Sequence, residues 1–222
     1  MRSTQTTWRV SPPGSLLRML VLARGNRTCV GIDLDSGAFV RAGEPHTDES
    51  TALDPFDVAE AYVADVDPDD TDEISPQPEY VAVETPMQRV GALRGRGAER
   101  LLRPLLHPPS HAIFGFTGPA TPWWECAGDR PSITLVQPET RPTIVNDARG
   151  LGSVFRWGGV AQWLPIADRR CLVRLAEGAR HPSGAMHIED LLGFRPTRVV
   201  VALTRPRGPH CYKVAVGFLP KP

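Results

Sequence analysis

Aromatic and basic side chains interleave at two places in this sequence, Phe155-Arg156-Trp157 and His210-Cys211-Tyr212-Lys213. Aromatic faces accept stacked nucleobases at about 1–3 kcal/mol per base, and neighbouring cations pair with phosphates. Arg156, Trp157, Tyr212 and Lys213 are therefore candidates for a single-strand-binding groove. Three arginines nearer the start, Arg24, Arg27 and Arg41, would add phosphate contacts, since the guanidinium fork suits bidentate pairing with oxyanions. The competing account makes Phe155, Trp157 and Tyr212 ordinary strand residues packed in a core.

Reaction chemistry is poorly supplied by comparison. The chain has no G-x-S-x-G elbow and no P-loop, and the G-x-G within Arg94–Arg100 lacks a third glycine and a preceding strand. His187-Ile188-Glu189 has the H-x-E form used by zinc deaminases, but the cysteine pair that completes such a site is missing. His107 and His111 stand four apart across Pro108 and Pro109, which forbid the helix that would align them. Asp33 and Asp35 form a carboxylate pair without a third group. Cys29, Cys126, Cys171 and Cys211 are scattered with no C-x-x-C spacing, so reduced thiols are expected, with a disulfide between distant positions as the alternative. The expectation is a non-enzymatic protein with no catalytic residues, no metal and no cofactor.

The elements that must position these side chains are short. With 20 Gly and 23 Pro in 222 residues, nearly every apolar run is broken before it could become a long helix. Strands are expected at Leu16–Ala23 and Thr28–Leu34, joined by an arginine-tipped turn at Arg24–Arg27, then at Ala38–Ala42 and Phe56–Val66. The best helical spacing lies in Val90–Leu106 and stops at Pro108-Pro109. Further strands are expected at Ile113–Phe116, Ser132–Gln137, Thr143–Asn146, Ser153–Trp157, Gln162–Ile166, Cys171–Leu175, Arg198–Thr204 and Cys211–Leu219, with one short helix near Ile188–Leu192. No run approaches the roughly 18 apolar residues that cross a bilayer, so no membrane partner and a cytoplasmic location are expected.

The net charge of zero is unevenly spread. Residues 1–111 carry 17 acidic and 11 basic side chains, whereas residues 112–222 carry 8 and 14. Much of the negative charge lies in Asp65–Glu73, read as a solvated loop held open by self-repulsion, or as a mimic of phosphates that covers the basic half.

In order along the chain, these segments resemble a prokaryotic family described as the dual OB-fold-containing domain. The likeness rests on Met19–Arg41, where Cys29-Val30-Gly31 stands for the family's Cys-x-x-Gly hairpin strand and Phe39-x-Arg41 follows, and on Gln77-Pro78-Glu79-Tyr80, where the family has Asn in place of Tyr80. It continues through Ser132–Val136, Phe155–Gly159, Leu164–Asp168 and Cys211–Ala215. The resemblance implies a mainly β protein with minor α: residues 1–14 as a lead-in, 15–108 as a first OB-like barrel carrying the acidic loop and helix, and 109–222 as a second. It also implies a bacterial nucleic-acid-binding module, for which single-stranded DNA or RNA is the expected partner. The alternative is a protein-interaction or small-ligand-sensing adaptor that uses the same barrel faces.

Overall fold

The structure, a computed structural model, describes residues 11–25, 27–45, 52–65, 77–126, 131–177 and 184–222. Strands β1 (Leu16–Arg24), β2 (Thr28–Asp33) and β3 (Phe39–Gly43) form an antiparallel meander. The turn after β1 closes as the Gly25 N–H donates to the Thr28 carbonyl at 2.8 Å. In β1, Leu17, Met19 and Val21 enter one apolar cluster, while Leu20 and Leu22 enter another. Successive strand residues point to opposite faces, so the apolar run 19–23 within β1 marks a strand covered on both sides. Gly31 permits the close approach of β2, because a Cβ there would lie 2.2 Å from the Leu20 carbonyl oxygen.

Strand β4 (Asp57–Tyr62) runs antiparallel to β1, β5 (Tyr80–Ala82) runs parallel to β3, and β6 (Gln88–Ala92) runs antiparallel to β4. The sheet order is β5-β3-β2-β1-β4-β6, so its two edge strands are consecutive in the chain. Val83 after β5 bridges Val63 after β4, and the sheet curls back on itself around Leu17, Met19, Val40, Ala59, Val81 and Met87. Helix α1 (Gly95–Leu102) then buries Ala98 and Leu102 and continues into a 3-10 turn at Arg103–Leu105.

Beyond it come β7 (Ala120–Pro122), the short α2 (Trp123–Cys126), β8 (Ile133–Val136), β9 (Thr143–Asp147), β10 (Gly150–Trp157) and β11 (Val160–Pro165). Helix α3 (Arg169–Glu177), β12 (Met186–His187), α4 (Ile188–Leu192), β13 (Arg198–Leu203) and β14 (His210–Leu219) complete the chain. Two four-stranded sheets result, ordered β11-β10-β9-β12 and β7-β14-β13-β8. They meet where Ile166, just past β11, bridges Ala215 of β14 in parallel, and where the Glu139 N–H donates to the Arg156 carbonyl. Phe155, Trp157, Leu164, Val199, Val201 and Phe218 fill the space between them.

The outer face of β1 and β2 is covered by the second segment. One buried cluster joins Leu20, Leu22 and Ile32 to Ile133, Leu135, Val200, Ala202 and Leu219, so residues before and after position 108 share an apolar layer. At 45% strand and 17% helix the fold is mainly β with curled, barrel-like sheets, in line with the sequence expectation. Among the described residues no helix is long and apolar enough to cross a membrane.

Three local expectations are corrected. Cys171–Leu175 is helical within α3: Asp168 accepts the Arg170 N–H at 2.9 Å through its side chain and the Leu172 N–H at 3.0 Å through its carbonyl. The inward residues Cys171 and Leu175 are spaced at four, and Leu172 and Val173 are exposed, which is the period of a helix. Val90 belongs to β6 because pairing with β4 claims Gln88–Ala92, and helix begins only at Gly95. Ile113–Gly115 is a 3-10 turn rather than a strand, with Phe114 at φ 58°.

Candidate functional site

The three arginines of the first segment do not assemble into an anion site. Arg24 Nη2 donates to Glu44 Oε2 at 2.7 Å, and both side chains are buried. Arg41, at the middle of β3, is buried as well: Nε faces Glu79 Oε1 at 3.4 Å, and Nη2 faces Ser132 Oγ at 3.1 Å and the Leu203 carbonyl at 3.5 Å. Burial pulls the Arg41 pKa down, opposed by the Glu79 carboxylate. Glu79 in turn accepts the Ser132 N–H at 3.1 Å and the Ser132 hydroxyl, while Gln77 Nε2 donates to the Leu203 carbonyl at 3.1 Å. Arg205 lies over the Tyr80 ring at 5.4 Å. Gln77-Pro78-Glu79-Tyr80 is therefore part of a polar clasp between the segments. Only Arg27 of the three is exposed.

In the second segment a cavity of about 780 Å³ opens beside β11, lined by Phe116, Arg149, Trp157, Trp163, Tyr212 and Lys213 among others. The β10–β11 hairpin makes one wall. Its two-residue turn places Gly158 at φ 58° and Gly159 at φ 74°, the paired left-handed conformations that match the twist of a tight hairpin. A Cβ on Gly158 would also sit 2.5 Å from the Pro109 carbonyl oxygen, so glycine lets the segment beginning at Pro109 close over the hairpin.

Three of the four residues expected here from the sequence line this cavity, with different roles. Trp157 is 4% exposed and stacks on His107 at 5.4 Å and 19°, so most of its ring is core. Lys213 is 3% exposed; Nζ donates to the Phe116 carbonyl at 2.7 Å and lies 3.9 Å from the centre of that ring. Burial pushes its pKa down to about 8, offset in part by the Cys126 sulfur. Tyr212 is half-buried, its N–H donating to Thr204 Oγ1 at 3.1 Å. Arg156 projects from the opposite face of β10 to Trp157, is exposed, and donates from Nη2 to the Gly159 carbonyl at 2.7 Å.

Two further residues complete the site. Arg149, in the β9–β10 turn, has its Cζ 4.6 Å over the centre of the Trp163 ring and is anchored by Asp147, with Nε 3.2 and 3.1 Å from the two carboxylate oxygens. The Arg149 hydrogen bonds hold the Asp147 carboxyl below the usual carboxylate range. Trp163 lies across Gly152, where a Cβ would fall 2.4 Å from the indole, and its buried Nε1–H has no acceptor among the described residues. The signal for Trp163 was in the hairpin register. Trp157 pairs with Val160, so Val154 pairs with Trp163, which shares the outer face of the hairpin with Arg156.

The remaining candidates carry no assembled chemistry. His107 Nε2 lies 3.1 Å from the Ala112 carbonyl, His111 lies beside the Ser110 hydroxyl, and Glu189 pairs with Arg141 at 3.6 Å. Asp33 accepts the Asp35 and Ser36 N–H groups in a turn. Among the described residues no group of three His, Cys, Asp or Glu side chains could hold a metal ion. Asp65 is exposed, and the rest of the acidic run, residues 66–73, lies outside the described residues.

The site thus offers an outward aromatic–guanidinium platform at the mouth of a mostly apolar cavity. No protein-family model, curated protein or solved structure matches this chain.

Proposed function

We propose that the chain is a non-enzymatic nucleic-acid-binding module, built from two OB-like barrels, that takes single-stranded DNA or RNA across the outer face of β10 and β11. The strand connectivity supports the fold reading. In the first segment β1, β2 and β3 form a meander, β3 pairs in parallel with β5, and β4 returns to β1. The second segment follows part of that plan: β9, β10 and β11 form the meander and β11 leads into a parallel bridge with β14, while β13 pairs with β8 rather than with a meander strand. A five-stranded Greek-key barrel of this kind binds oligonucleotides on the face of its second and third strands and on the adjoining loops. The likeness to the dual OB-fold-containing domain family points the same way.

The observation that carries the function is Arg149 over the Trp163 ring, anchored by Asp147 beside the cavity, on the strands and turn where that barrel type takes its ligand. A guanidinium plane fixed by Asp147 costs little further ordering when a base stacks on it, and exposed Arg156 lies on the same face for phosphate. The adaptor reading is favoured by a different observation: Lys213 is spent inside the wall, and Val160 at the hairpin tip is 59% exposed, which suits an apolar peptide or small ligand.

Fluorescence anisotropy with labelled single- and double-stranded oligonucleotides, at two salt concentrations, separates the two. Single strands are expected to bind more tightly and to weaken as salt rises. Trp163→Ala should cost one stacked base, roughly 5- to 150-fold in affinity, whereas Arg100→Ala on exposed α1 should cost far less. Absence of binding to any oligonucleotide, or an unchanged affinity for Trp163→Ala, would leave the adaptor reading in place.

A further inference from the structure

Cys126 and Cys211 are 85 positions apart in sequence and adjacent in space. Strand β7 pairs with the start of β14, setting Thr121 opposite Cys211, and α2 folds back one turn later, which brings the Cys126 thiol beside that of Cys211. The Trp123 N–H donates to the Pro209 carbonyl at 3.0 Å, and Thr121 Oγ1 donates to Glu125 at 2.8 Å, so α2 is held in this position from both ends. Cys211 is fully buried, whereas Cys126 is half-exposed and lines a cavity of about 300 Å³ together with His107, His111 and Glu125. The cavity admits a small oxidant to one sulfur and leaves the other behind it.

We propose that Cys126 and Cys211 are a peroxide-sensitive thiol pair whose disulfide staples the segment 116–126 to β14. The Cys126 thiolate attacks one oxygen of hydrogen peroxide, forming a sulfenic acid and releasing hydroxide, which takes up a proton as water. The Cys211 sulfur then attacks the sulfenic sulfur, expelling a second water and closing the disulfide. Two thiols are oxidised by two electrons and one peroxide is reduced to two waters. Burial, and after it the Glu125 carboxylate, raise the Cys126 pKa on balance against the smaller lowering effects of the neighbouring Cys211 thiol and the Lys213 ammonium; burial pushes Cys211 up to about 11. Both sulfurs therefore rest as thiols, and attack proceeds through the small thiolate fraction of Cys126, the member that the cavity reaches.

The inference does not depend on the ligand of the neighbouring groove, and its test needs none. The full chain is treated with hydrogen peroxide, free thiols are counted after denaturation, and peptides are mapped without reduction. The expected result is loss of two thiols, a Cys126–Cys211 cross-linked peptide, and full recovery with dithiothreitol. The closed loop should raise the thermal midpoint by roughly 5 °C or more over the reduced protein. Cys126→Ser, at the half-exposed position, should fold normally, keep its remaining three thiols and show no midpoint change. Retention of all four thiols in the unaltered protein, a cross-link between other cysteines, or the same thiol loss in Cys126→Ser overturns the proposal.

Discussion

At the scale of single residues Lys213 is held apart from water, its ammonium folded against Phe116 rather than offered to solvent. Its pKa falls from 10.5 to about 8 in the folded chain. Between those values the unfolded chain binds more protons than the folded one, so this group makes stability rise with pH across the window and contributes no slope below it. Urea midpoints measured from pH 7 to 10.5 should therefore rise more in the parent than in Lys213→Met, which keeps the stem and removes the titration. Parallel curves would show that the ammonium is as well solvated as in an unfolded chain. Asp147 is the second residue with a single task. Asp147→Asn should weaken oligonucleotide binding, though by less than Trp163→Ala, because Arg149 keeps its charge and loses only its fixed orientation. Anisotropy titration of the two variants in parallel checks the order.

At the scale of elements the β10–β11 hairpin carries the site, and its turn is open to a paired test. Gly158→Ala and Gly159→Ala both place a Cβ on a left-handed backbone, but only the first also meets the Pro109 carbonyl. Gly159→Ala should cost about 1 kcal/mol, and Gly158→Ala up to about 3 kcal/mol, in urea unfolding. Equal costs would mean that the Pro109 segment yields freely. The hairpin also explains what the sequence disclosed. Two adjacent glycines between apolar strands announce a tight turn, and β2, β9, β13 and β14 were legible from their apolar runs and flanking breakers to within a residue or two. Helix α4 was legible at Ile188–Leu192, with Gly193 left-handed at its end. The error lay in reading Phe155-Arg156-Trp157 as one face: neighbours in a strand point opposite ways, so Trp157 went inward and Arg156 outward. The true partner of Arg156 on that face is across the hairpin. Helix α3 was missed because Cys171, Val173 and Leu175 also satisfy a period of two, and only the packing of Cys171 with Leu175 distinguishes the two periods.

At the scale of the whole molecule the buried clasp of Arg41, Gln77, Glu79, Ser132 and Leu203 links the segments on either side of residue 108. Removing one member of a buried ion pair leaves the other charge uncompensated, so Glu79→Ala should cost about 3–5 kcal/mol. Replacing both, as Arg41→Met with Glu79→Leu, should cost less than the sum of the single changes. With the apolar layer shared between segments, the parent is expected to unfold in one calorimetric transition, and Glu79→Ala in one transition at lower temperature. Two transitions in the parent would mean that the layer contributes little to cooperativity.

The covering of β1 on both sides also sets an order of events during synthesis. Leu20 and Leu22 share one buried apolar cluster with Val200, Ala202 and Leu219. At about 5–20 residues per second, the first curled sheet waits on the order of 5–20 s for those strands to leave the ribosome. Throughout that interval it presents an apolar face with no cover, a surface on which nascent chains adhere to one another and which holding chaperones recognise.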